Sequence, residues 1–324
     1  MKRILCAALM ALFLCGCAPK ETSVQKTVFA MDTVMDLKLW GSDCQGASEE
    51  IETLLQDLER RWSSTREDSA VGLMNRGLDP SLTGQEQTLV ERVLALKERT
   101  GGAFDPKLRS VSAAWGFLSG EYRVPDAQQI AHALSDPKWD LGAAMKGYAG
   151  DQAVELLKTR NVDRAVLNLG GNIQTYGEKP DGTPWQIAIQ NPAGEGTAGI
   201  VSVRGTASIV TSGSYQRFFE ENGVRYHHIM DGDTGRPANS GLLSVTVICA
   251  NGLTADALST ALFVMGLEEG AELWRESDDF EAVFILEDGR VYATEGACLS
   301  GCEYEVITRE NKILGDAGRP ASAP

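Results

Sequence analysis

Histidine is nearly absent: the 324-residue chain has three, His132, His227 and His228. Of seven cysteines only Cys44, Cys249, Cys298 and Cys302 lie beyond position 17. These residues do not fall into the paired spacings of a zinc site, so zinc chemistry is excluded. Positive charge is also short, with 30 Lys and Arg against 45 Asp and Glu. A net charge of -15 repels a nucleic-acid backbone, so no nucleic-acid partner is expected. No repeat, heptad or internal linker divides the body, which reads as one unit. At 43% hydrophobic content a chain of this length can bury about three quarters of its unfolded surface and form a deep cleft.

The N-terminus is a separate matter. Lys2 and Arg3 precede an apolar run from Ile4 to Leu14, which reads as a secretory signal and is too short to span a bilayer. Its end, Leu14-Cys15-Gly16-Cys17, resembles the lipobox of bacterial lipoproteins. That resemblance implies removal of residues 1–16, lipidation of Cys17 and anchoring at the extracytoplasmic face of the bacterial cell membrane. Residues 17–25 are polar and read as a tether, and residues 315–324, GDAGRPASAP, lack apolar periodicity and are expected to be disordered. Cys298 and Cys302 could close a small disulfide or remain as thiols, and the sequence leaves both open.

Residues 26–314 carry the pattern of an α+β fold, a single unit with antiparallel or mixed sheets and packed helices. Alternation through Val28, Ala30, Thr33, Met35, Leu37 and Leu39 predicts strand, as a hairpin or a bent edge. Apolar residues at helical spacing predict helices through Ile51–Trp62, Gln85–Arg99 and Val154–Leu157, and Asp126 marks another helix start. Strands are predicted at Arg164–Leu169, Trp185–Gln190, Ile200–Arg204, Ala207–Thr211, Phe280–Leu286 and Arg290–Thr294, with a helix around Glu268–Trp274. Helices come early and strands late.

The unusual chemistry lies between Ala207 and Met265. His227 and His228 end a strand-like run just before the turn Asp231-Gly-Asp-Thr-Gly235. Val245–Ile248 reads as a buried strand, and Thr254 as the cap of a helix that sets Asp256 and Thr260 one turn apart on one face. Upstream, Asp140 and Lys146 flank a run of small residues at a helix entry, where free N–H groups favour phosphate. Gly170-Gly171-Asn172 marks a second place where backbone can approach a ligand.

Seven segments in register resemble the ApbE family, flavin transferases that move FMN from FAD onto a threonine or serine of another protein. They are Met31-Asp-Thr33, Gly102-Ala-Phe-Asp-Pro106, Asp140-Leu-Gly-Ala-Ala-Met-Lys-Gly-Tyr148, Asn168-Leu-Gly-Gly-Asn172, Thr211-Ser-Gly-Ser-Tyr215, His227-His-Ile-Met-Asp231 with Thr234-Gly235, and Ala255-Asp-Ala-Leu-Ser-Thr260. The resemblance implies FAD contacts at Met31, Thr65, Ala103, Phe104, Asp105, Asp140, Lys146 and Ile229. It implies magnesium ligands at Asp256, Thr260 and the carbonyl of Ala143, an oxygen set of the kind magnesium takes. His228, with an ordinary histidine pKa near working pH, is expected to be the general base. The chain departs from the family pattern at Asp32, usually glycine, at Ala143-Ala144, usually glycine and an aliphatic residue, and at Gly232, where proline is common.

The function so implied is magnesium-dependent transfer of FMN from FAD to a hydroxyl of an acceptor protein, a membrane redox subunit, with release of AMP. Two rivals remain at this point: an FAD pyrophosphatase giving FMN and AMP, and a lipoprotein that only binds flavin.

Overall fold

The computed structural model describes residues 22–310. The expected lipidation site Cys17, the signal and the tail at 315–324 lie outside them. The chain opens with the hairpin β1 (Ser23–Ala30) and β2 (Thr33–Gly41), then α1 (Cys44–Trp62), α2 (Ala70–Asn75), α3 (Gly84–Arg99), α4 (Arg109–Ala114), α5 (Ala127–Ser135) and α6 (Gly142–Lys158). Strands follow: β3 (Val162–Asn168), β4 (Asn172–Tyr176), β5 (Trp185–Gln190), β6 (Thr197–Val203), β7 (Ala207–Gly213), β8 (Phe218–Glu221), β9 (Val224–His227), β10 (Met230–Asp231), β11 (Arg236–Pro237) and β12 (Leu242–Cys249). Helix α7 (Gly252–Arg275) and strands β13 (Phe280–Leu286), β14 (Val291–Thr294), β15 (Leu299–Ser300) and β16 (Glu305–Ile307) complete the described chain.

Nine strands form one sheet in the order β1-β2-β3-β4-β7-β12-β13-β14-β16. Every neighbouring pair is antiparallel except β14 with β16. Both faces of its middle are covered, and the sequence shows why. In β13, Phe280, Ala282 and Phe284 pack with α7, while Val283 and Ile285 pack against the three-stranded sheet β15-β6-β5. A strand buried on both faces carries a continuous apolar run, and FEAVFIL is nearly that. Helices α1, α6 and α7 cover the other face. Helices α2 to α5 form an outwork beside them, with the separate hairpin β8–β9 packed on it through Phe219 and Tyr226.

Strand β1 takes in the last three residues of the stretch read as tether, because Ser23–Gln25 pair with Trp40–Lys38. The cap of α7 is Asn251 rather than Thr254: Asn251 Oδ1 accepts from the Thr254 N–H at 3.0 Å and the Thr254 hydroxyl at 2.9 Å. The helix expected around Glu268–Trp274 is the second half of α7, which breaks at Gly266, a residue at φ 83°. Cys298 and Cys302 are free thiols. Cys298 O accepts from Ser202 N, whereas Cys302 Sγ lies beside Gly199.

Candidate active site

The site is built where α6 and α7 touch backbone to backbone. A Cβ on Gly147 would collide with the Gly252 carbonyl and come within 2.7 Å of Asp256 Cβ, and one on Gly252 would collide with the Gly147 carbonyl. This helix–helix contact falls on Gly147, just past the small-residue run that Asp140 and Lys146 flank at the entry of α6. Asp151 ties the pair further. Its carboxylate accepts from the N–H groups of Gly252 at 2.6 Å and Leu253 at 3.0 Å, at the N-terminus of α7. Burial raises the Asp151 pKa above the usual carboxylate value, with the two N–H groups opposing.

This contact fixes Asp256. The residue is only 4% exposed, and its carboxylate Oδ2 accepts from the Gly147 N–H at 2.9 Å. In an uninterrupted helix that N–H serves the Ala143 carbonyl four residues back, so carboxylate and carbonyl converge on one amide. Oδ1 accepts no hydrogen bond among the described residues. Oδ1 is not among the enclosed atoms left unpaired, so it stays open to a cation. Thr260 lies one turn further along α7, half-buried, with its hydroxyl 3.5 Å from Ser212 Oγ of β7. Ser212 also meets Ser259 at 2.8 Å, and Ser259 donates to the Asp256 carbonyl at 2.8 Å. One carboxylate, one hydroxyl and one carbonyl fit a hard divalent cation that keeps waters and substrate oxygens as its other ligands. Among the described residues no cluster of three His, Cys, Asp or Glu offers a richer metal site.

Lys146 precedes Gly147, is half-buried, and has no hydrogen-bond or ion-pair partner among the described residues. Its charge reaches His228. Burial, then Arg217, and less strongly His227 and Lys146 depress the His228 pKa to about 3. The ordinary value expected from sequence is thus corrected: at neutral pH the imidazole is uncharged. Nδ1 lies 3.3 Å from the Arg217 carbonyl, which can only accept, so Nδ1 carries the proton and Nε2 the free lone pair. His227 is structural. Its Nε2–H donates to Ala238 O at 3.0 Å, Nδ1 accepts from Ile229 N at 3.3 Å, and the ring sits edge-on to Phe263.

The remaining expected contacts divide. Met31 and Asp32 form the β1–β2 turn at φ 51° and 57°, the left-handed pair that a two-residue type I′ hairpin requires and that side chains usually avoid. Asp32 thus adopts the geometry that glycine supplies more cheaply. Gly170 packs on this turn, since a Cβ there would lie 2.5 Å from Thr33 Oγ1. Its close approach is to Thr33, whereas Gly171 stays open. Asp140 Oδ1 accepts from Gly142 N at 2.9 Å, and its own N–H donates to Pro106 O at 2.8 Å, joining two motifs. Asp105 is held by Lys97 at 2.7 Å and by the Lys107 N–H at 2.9 Å. Ala103 is half-buried beside it. Phe104 is 1% exposed and belongs to the core around Trp62, Leu141 and Met145. Ile229 is buried, its N–H given to His227 and its carbonyl accepting from Ala238 N at 2.9 Å. Thr65 is exposed on the rim of a cleft of about 650 Å³ between α2, α4 and α5. That cleft contains none of Asp256, Thr260 and His228.

Residues 31–284 match the model of the ApbE family. The chain belongs to the ApbE family. It is 34% identical to a FAD:protein FMN transferase of Treponema pallidum, over 87% of this chain and 90% of that protein. A FAD:protein FMN transferase of Vibrio cholerae is 29% identical over 83% of this chain and 90% of its own length. Solved structures agree in fold. The ApbE protein of Thermotoga maritima superposes with a TM-score of 0.76 at 29% identity, covering 85% of this chain and 97% of that one. The flavin transferase ApbE of Vibrio cholerae gives 0.73 at 28% identity, covering 85% and 98%. Sequence reasoning missed Ser212, Gly147, Gly252 and Asp151 as parts of the site. Ser212 and Gly147 stood inside quoted motifs, but the contacts of Gly147, Gly252 and Asp151 appear only when α6 meets α7.

Proposed function

We propose that this chain transfers FMN from FAD to a serine or threonine hydroxyl of another protein, releasing AMP. The observation that carries the reading is the buried Asp256 carboxylate, short of partners and gathered with Thr260, Ser212 and the Ala143 carbonyl on the glycine contact of α6 and α7. Relatives sharing most of the chain's length are FAD:protein FMN transferases, which supports the same reading.

Asp256, Thr260 and the Ala143 carbonyl would hold magnesium, which supplies charge neutralisation at a diphosphate. Lys146 offers a further positive charge to the same anion. The acceptor hydroxyl oxygen bonds to the phosphorus on the FMN side, and the bond from that phosphorus to the bridging oxygen breaks. AMP departs with the bridging oxygen and the electron pair. His228 Nε2 takes the hydroxyl proton. An anionic diphosphate beside Lys146 and Arg217 offsets the charges that depress His228 and raises its basicity when substrate is bound.

At its N-terminus we propose lipidation of Cys17, which would keep the site at the extracytoplasmic face, within reach of a membrane-bound acceptor. The catalytic reading is tested by mixing the protein with FAD, magnesium and a soluble acceptor domain and weighing that domain. A mass gain of one FMN supports it. FMN and AMP formed at a rate indifferent to acceptor, with no mass gain, would make the protein an FAD pyrophosphatase instead.

A further inference from the structure

Among the described residues the hairpin β8–β9 pairs with no other strand. Its turn, Asn222 at φ 52° and Gly223 at φ 77°, is of type I′, in which the flanking pair Glu221 and Val224 is the hydrogen-bonded kind. Antiparallel ladders alternate, so Phe219 with Tyr226 and Arg217 with His228 are also hydrogen-bonded pairs. The His228 N–H donating to Arg217 O at 3.1 Å confirms the phase. The backbone groups of Phe218 and Glu220 on β8, and of Arg225 and His227 on β9, therefore point outward. On β9 the edge is closed at its site end, where His227 is buried. On β8 it is open, with Gln216, Arg217, Phe218 and Glu220 all exposed.

Proteins usually blunt such an edge. Here it is flanked by apolar surface: Tyr122, 45% exposed and stacked on Phe219 at 5.3 Å, Val224 at 50% and Phe218 at 37%. The edge also leads somewhere. From Glu220 toward Gln216 it arrives at the candidate site, where the Arg217 carbonyl positions His228 and Gln216 Nε2 donates to Thr211 O at 3.3 Å, one residue from Ser212.

We propose that the outer edge of β8 is the docking strand for the acceptor polypeptide, which adds to the hairpin as a third strand. Its backbone pairs with Phe218 and Glu220, its side chains rest on the apolar flank, and its hydroxyl residue lies at the His228 end. The inference rests on the reading above, in which the second substrate is a protein. The partner it fits is an extended polypeptide segment that carries the hydroxyl residue.

The test uses full-length protein and a soluble acceptor domain that carries its threonine in an extended segment. Phe218→Pro and Glu220→Pro each remove one outward N–H and none from the hairpin's own ladder, at a position where an edge strand accepts proline. Each should raise the KM for the acceptor domain about tenfold or more while leaving kcat and FAD affinity unchanged. Phe218→Ala, which keeps the N–H, should change that KM less than Phe218→Pro. In the unaltered protein, saturating acceptor should slow hydrogen exchange at the Phe218 and Glu220 amides. If transfer occurs but KM is unchanged in both proline variants, or those amides gain no protection, the docking edge is wrong and the transferase reading stands. If the unaltered protein moves no FMN to the domain, the transferase reading fails and the docking edge falls with it.

Discussion

His228 shows how far a residue's surroundings can carry it from its free chemistry. Half-buried beside Arg217 and fixed by that residue's carbonyl, it is neutral over the working range and presents Nε2. Replacing it with alanine should slow transfer by ~10² to 10⁴, the usual worth of a general base, with FAD binding retained. Since kcat/KM reports ionisations of the free enzyme, its profile for FAD should show no histidine step near pH 6.5. A clear step there would mean that the depression is absent. Stability follows the same ionisations. The folded-state pKa values of His227 and His228 both lie below the unfolded value, so the unfolded chain gains protons first as pH falls. Their stabilisation is complete above about pH 6.5 and is lost progressively below it, down to about pH 3 for His228. Thermal unfolding from pH 7 to 4.5 should show a falling midpoint, and His228→Gln should flatten that fall.

At the scale of elements, the contact between α6 and α7 sets the site. Gly147→Ala forces a methyl group against the Gly252 carbonyl, which is backbone and cannot swing away. The helices must part, at a cost of about 3 kcal/mol or more, with Asp256 drawn off the Gly147 N–H. Gly84→Ala is the matched control, because its Cβ meets nothing within 4 Å and its φ is not positive. That change should alter stability by less than about 0.5 kcal/mol or raise it slightly. Denaturant midpoints of the two variants check both expectations. Much of this scale was legible in the sequence. The β1–β2 hairpin, α3, α5 with its Asp126 cap, and β13 were readable because period and punctuation agree there. What escaped was contact between distant segments. A helical glycine looks alike whether it faces a ligand or another helix, and only the packing shows that Gly147 faces Gly252. The cap of α7 was misplaced because Asn251 and Thr254 are both good caps, and local sequence does not say which turn the fold selects.

At the scale of the whole molecule, the proposed lipid anchor at Cys17 would hold the catalytic body close to a membrane-bound acceptor. Cys17→Ser should move the protein from the membrane to the soluble fraction without changing its rate on a soluble acceptor domain. Retention in the membrane would contradict lipidation at Cys17. The central claim is that the Asp256 site couples FAD cleavage to modification of a protein. The measurement that tests it most directly follows, in one reaction with FAD and magnesium, the AMP released and the FMN mass gained by an acceptor domain, for the unaltered protein and for Asp256→Ala. AMP and bound FMN should rise together mole for mole, both should stay near zero when acceptor is left out, and both should be lost in Asp256→Ala. Rapid AMP release without acceptor, or full transfer by Asp256→Ala, would contradict the account.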